Sequence, residues 1–153
     1  MKTYFIARSS TLKWMSTSAL VLLLIMGCSI KLISSYDEKT DNAVTQLHKQ
    51  VETFFVTVEE QAGLPECKYE NHKDFYKDTK IKISAIEVRA RAIPQNDQTI
   101  DQIGLLKDSL DKLEKLHQIG CFSSNQVENL RSSFNSSFTA ILKLELAKKR
   151  GAK

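Results

Sequence analysis

Chain breakers are scarce: 153 residues hold five glycines and two prolines. That disfavours a strand-and-turn fold, which needs many tight reversals, and favours long helices. The signatures of common catalytic sites are missing as well. No G-x-S-x-G elbow holds a serine beside a base and an oxyanion pocket. No H-E-x-x-H motif serves zinc hydrolysis, and no C-x-x-C-H attaches haem. No glycine-rich loop can cradle phosphate. A carboxylate di-iron bundle needs Glu-x-x-His on two helices, whereas Glu114-x-x-His117 stands alone. The expectation is a protein that is not an enzyme and carries no cofactor. Internal repeats, linkers and low-complexity tracts are absent too, and the length suits one domain with a real core rather than two.

Residues 1–13 lack acid but carry Lys2, Arg8 and Lys13. An apolar run, WMSTSALVLLLIMG, follows over residues 14–27. That is the length of a secretory leader's core. A membrane-spanning helix needs about 20 apolar residues, and here Lys31 interrupts soon after Cys28. A span and a buried N-terminal helix are the alternatives. The stretch Ile25-Met26-Gly27-Cys28 resembles the bacterial lipobox, in which small or apolar residues precede a cysteine. The resemblance is confined to the first 28 residues or so. It implies diacylglyceryl transfer to the Cys28 thiol, cleavage after Gly27 and acylation of the new amino terminus. Residues 1–27 would be the leader, 28–34 a lipidated cysteine with a short tether, and 35–153 the folded domain. In the enteric sorting pattern an aspartate after the cysteine retains a lipoprotein in the inner membrane; here Ser29 follows. The expected location is therefore the cell envelope, on the outer membrane facing the periplasm rather than on the inner membrane.

Cleavage would also remove three of the 22 basic residues and none of the 18 acidic ones, leaving 19 against 18, about +1. The precursor's pI of 8.9 then carries no argument for a nucleic-acid partner.

Behind the leader, apolar residues recur with spacings of three and four. Ser35-x-x-Glu38 has the spacing of a capping box. The seam Val44, Leu47, Val51, Phe54 and Val58 follows, and Gly63 ends it. Pro65 is expected to open a second helix at its first position, with Tyr69, His72, Tyr76, Thr79, Ile83, Ile86, Ala90 and Ile93 inside. IKISAIEV (81–88) alternates like a strand, but the longer helical pattern outweighs it. After the Pro94-Gln95-Asn96 break, Thr99-x-x-Gln102 is the expected cap of a third helix. Its seam is Ile103, Leu106, Leu110, Leu113 and Leu116 or His117, closed by Gly120. Ser123-x-x-Gln126 caps a fourth, with Val127, Leu130, Phe134, Phe138, Ile141 and Leu144 or Leu146 inside. Together these predict an all-α, up-down-up-down four-helix bundle.

That topology puts Cys67, in the first turn region, at the same end as Cys121, in the third. A disulfide between them is expected in an exported domain, leaving Cys28 to the lipid. The alternative is a metal site of Cys67, His72, His117 and Cys121, whose ligand types suit zinc but whose spacing matches no standard finger. Tyr69, Phe75 and Tyr76, with Phe54 and Phe55, form either core or a cleft for a ligand or partner. KDSLDKLEK (107–115) offers i,i+4 pairs Asp108–Lys112 and Asp111–Lys115. The cations Lys148, Lys149, Arg150 and Lys153 would face anionic headgroups or form a solvated tail. The expected function is non-catalytic: a lipid-anchored helical bundle that binds an envelope protein partner or supports envelope structure. The alternative is a small-ligand or metal carrier that uses the bundle interior or the Cys/His end.

Overall fold

The computed structural model describes residues 33–151. The leader, Cys28 and Lys153 lie outside the described residues. The described chain forms four helices: α1 (Glu38–Glu60), α2 (Lys73–Arg91), α3 (Asp97–Ile119) and α4 (Ser124–Gly151). Two 3-10 turns, Pro65–Cys67 and Tyr69–His72, precede α2. Among the described residues there is no strand, and no helix is long and apolar enough to cross a membrane.

The helices form an up-down-up-down bundle. Each packs on its neighbour in sequence, and α4 closes the ring against α1. Cross-helix pairings run in opposing order, as antiparallel neighbours require. On α1 and α4, His48 meets Asn135 at 2.7 Å while the later Glu59 meets the earlier Arg131 at 2.9 Å. On α2 and α3, Lys80 binds Glu114, whereas Glu87 lies 3.9 Å from Lys107. The core consists of the four seams, with Val44, Leu47, Phe55, Leu110, Val127 and Ile141 fully buried. Phe55 was not on the α1 seam as read by spacing; it widens the stripe to the breadth a helix needs when two neighbours flank it.

Helix ends depart from expectation in three places. Asp37, not Ser35, caps α1: its carboxylate accepts hydrogen bonds from the Thr40 backbone N–H (3.0 Å) and the Thr40 hydroxyl (2.6 Å). Pro65 opens a 3-10 turn and not the helix, since α2 begins only at Lys73. Asn96, not Thr99, precedes α3, and Thr99 is buried inside the first turn. Only the Ser123–Gln126 box forms as expected. There Ser123 N–H donates to Gln126 Oε1 at 2.9 Å, and Gln126 N–H donates back to Ser123 Oγ at 3.4 Å.

Candidate functional site

Two ends of the bundle concentrate polar side chains. The distal end holds the cysteines and the proximal end receives the chain at Ile33.

At the distal end the turns after α1 and α3 meet, as the topology demands. Cys67 and Cys121 stand at disulfide distance, with Cα atoms 5.6 Å apart. Cys67 is buried and Cys121 is exposed. Beneath them an aromatic cluster surrounds His117, which is 1% exposed. Phe54 stacks on Phe75 with ring centroids 3.9 Å apart, and Phe122 lies 4.6 Å from the His117 ring. Both imidazole nitrogens of His117 are occupied. Nδ1 shares a 2.8 Å hydrogen bond with the Tyr76 hydroxyl, and Nε2 lies 2.6 Å from the Cys67 carbonyl. Nε2 must donate to the carbonyl, so in the neutral ring Nδ1 accepts and the Tyr76 hydroxyl donates. Burial holds the His117 pKa below its ordinary value, because the interior penalises the cation. The same desolvation lowers His72, half-buried, with Nε2 3.1 Å from Gln61 Oε1 and 3.2 Å from the Glu66 carbonyl. Burial also raises the Tyr76 hydroxyl well above the phenol range.

The four residues of the metal alternative thus come to one end. The histidine rings are 5.4 Å apart, but the nitrogens of His117 point at Tyr76 and Cys67 rather than toward a common centre. Among the described residues no group of three His, Cys, Asp or Glu side chains is arranged to hold a metal. Glu114, three residues before His117, turns outward to the Tyr69 hydroxyl at 3.0 Å and to Lys80.

The proximal end holds a network that the sequence did not disclose. Where spacing placed Leu144 or Leu146 inside α4, the residues buried are Glu145 and Lys148; Leu146 is exposed. Lys148 Nζ donates to Glu145 Oε1 (2.6 Å), Asn96 Oδ1 (2.6 Å) and Thr99 Oγ1 (2.7 Å). The Thr99 hydroxyl in turn donates to Glu145 Oε1 at 3.1 Å. Asn96 joins three segments: Nδ2 donates to the Ala90 carbonyl at the end of α2, and Oδ1 also accepts from Ser34 Oγ at 2.9 Å. The Ser34 N–H donates to the Gln95 carbonyl at 3.1 Å. Gln95 itself adopts a left-handed φ of 60°, uncommon for a residue other than glycine. One turn further on, Asp37 binds the Arg89 guanidinium through both carboxylate oxygens, at 2.5 and 2.6 Å. The guanidinium holds the Asp37 carboxyl well below the usual carboxylate range. Tyr36, donating to Asp41 at 2.8 Å, has its pKa pushed up to about 12.

This network corrects the picture of the basic tail. Lys148 is a buried partner and not a surface cation, while Lys149 lies over the Tyr36 ring at 5.0 Å. Likewise Asp111 faces Lys80 on α2 at 3.6 Å, where a pair with Lys115 on its own helix was expected. Exposed carboxylate–ammonium pairs of this kind add only tenths of a kcal/mol. Comparison with family models, with curated proteins and with solved structures finds no match to this chain.

Proposed function

We propose that this protein is a lipid-anchored bacterial envelope lipoprotein without catalytic activity, whose helical bundle binds a protein partner. Cys28 carries the lipid, residues 1–27 are removed, and the domain faces the periplasm from the outer membrane. One observation carries the proposal. Cys67 and Cys121 stand at disulfide distance, so an oxidising compartment would staple them and leave Cys28 as the odd thiol. That thiol directly follows an apolar leader of secretory length. The alternative of a metal carrier would draw on the Cys/His end, where hydrogen bonds already engage both nitrogens of His117.

The test is Cys28→Ser. The variant should leave the membrane fraction and migrate as the unacylated form. Unchanged partitioning would refute lipidation. Non-reducing peptide mapping of protein taken from cells should recover Cys67 joined to Cys121, and free thiols at both positions would remove the argument from compartment.

A further inference from the structure

The two cysteines of the distal end are unequal. Cys67 closes the first 3-10 turn and is 1% exposed. Cys121 is exposed, in the stretch 120–123 between α3 and α4. Ahead of it Gly120 is extended, and a Cβ built there would meet nothing within 4 Å. Ile119, two positions before Cys121, is 85% exposed. Behind it Phe122 is buried, its ring 4.6 Å from that of His117. Cys121 therefore stands in the open on a segment that is pinned just past it.

The position of Cys67 does not depend on sulfur alone. Its carbonyl accepts from His117 Nε2 at 2.6 Å, and the Tyr76 hydroxyl on Nδ1 keeps that donor in place. Its N–H donates to the Leu64 carbonyl at 3.2 Å. Tyr69, two residues on, is tied to Glu114 at 3.0 Å. If the bond to Cys121 opens, these contacts keep the Cys67 thiol beside the sulfur it left, with the two Cα atoms 5.6 Å apart. A thiol held that close acts at a high effective concentration.

Thiol–disulfide exchange needs access to the sulfur under attack. At Cys67 an incoming thiolate meets packed protein; at Cys121 it meets solvent. We propose that Cys121 is a thiol-exchange site. An external thiolate forms a mixed disulfide there, and Cys67, positioned through its carbonyl by His117, is the buried thiol that leaves and later returns. In the forward step the external sulfur bonds to Cys121 Sγ and the bond to Cys67 Sγ breaks. The electron pair leaves with Cys67, which takes a proton from solvent. In the return step Cys67 loses that proton, attacks Cys121 Sγ and expels the external thiol. A dithiol reagent can instead complete reduction: its second thiolate attacks its own sulfur in the mixed disulfide, so the reagent is oxidised and both protein cysteines are left as thiols. The inference rests on the closed Cys67–Cys121 bond of the proposed envelope protein and adds the chemistry that addresses it.

The test treats the full chain with glutathione, quenches with N-ethylmaleimide and maps each cysteine on its own peptide. Before glutathione is added, Cys67 and Cys121 should take up no maleimide; labelling of both would overturn the inference together with the closed bond. After it, glutathione on Cys121 with maleimide on Cys67 should exceed the reverse by about tenfold or more. Equal amounts, an excess on Cys67, or no adduct where the urea-unfolded chain reacts would overturn the proposal. His117→Leu should raise the adduct several-fold at equal glutathione, whereas His117→Gln, whose amide can still donate to the carbonyl, should stay near the parent. An adduct in His117→Leu no greater than in His117→Gln would overturn the positioning of Cys67. A second arm offers a thioredoxin whose resolving cysteine is serine. Its capture on Cys121 at concentrations where glutathione does not react would support the site and name a protein thiol as the source; reaction with glutathione alone would support it with a small thiol. Cys28 is read on its own peptide, so failure of the anchor and failure of the exchange site are separate outcomes.

Discussion

Removing Lys148 alone should damage the domain more than removing it together with Glu145. Both side chains are almost inaccessible, 3% and 1% exposed. Lys148→Met leaves the Glu145 carboxylate in the interior with the Thr99 hydroxyl and a 3.5 Å contact to the Asp37 N–H as its remaining donors. Breaking a buried ion pair from one side costs about 3–5 kcal/mol, because the stranded charge keeps its desolvation penalty. A domain of this size is stable by roughly 5–15 kcal/mol, so the single variant should lose about a fifth of its stability or more. Glu145→Leu strands the ammonium instead. Lys148 then keeps Asn96 and Thr99 as neutral acceptors, and the loss should be at the lower end of that range. In Glu145→Leu/Lys148→Met neither charge remains, the helix gains apolar volume, and the loss should fall to about 1 kcal/mol or reverse sign. The assay is urea denaturation of the four proteins, followed by far-UV circular dichroism, with oxidised cysteines throughout. A coupling energy of several kcal/mol is expected from the cycle. Additive single effects below about 1 kcal/mol would mean that the two charges are solvated in solution, and the account of the proximal end would fall.

The distal end offers two further tests. Reducing the Cys67–Cys121 pair, which closes a loop with a sequence separation of 54, should cost about 4 kcal/mol in the chain-entropy model. The urea midpoint with and without reductant measures this, and an unchanged midpoint would refute a closed loop. Stability should also fall as pH drops from about 7.5 to 5. His117 and His72 are held below the ordinary histidine value by burial. Below a pH of about 6.5 the unfolded chain therefore binds protons that the folded chain refuses, so stability rises with pH there. His117→Phe should flatten that part of the curve even if it lowers the plateau, and an unaltered slope would clear His117 of the effect.

The seams were legible because a stripe that recurs every three or four residues has one economical burial, against neighbouring helices. Short turns then fixed the antiparallel order and brought Cys67 to Cys121. Capping was legible only where it is local in both directions, at Ser123 and Gln126. At α1 the residue that caps lies two positions after the Ser35 that spacing suggested. Arg89, 52 positions away, pairs with the one that caps, Asp37. The Glu145–Lys148 pair was hidden for the same reason. An i,i+3 acid and base read as a solvated face, and nothing nearby in sequence announces that Asn96 and Thr99 will surround them. Leucines at 144 and 146 supplied an apolar turn that looked sufficient. Buried polar sites are assembled from distant segments, whereas apolar seams are written along one.

The way the first described residues are fastened has a mechanical consequence. Ser34 is tied by backbone and side chain to Gln95 and Asn96, and Asp37 is tied to Arg89. A pull arriving through residue 33 would therefore not peel α1 away turn by turn. It would load the α2–α3 corner and the last turns of α4 together, so that several polar contacts must rupture at once before any helix unwinds. A domain held from that side resists tension in parallel, like a bolt through stacked plates.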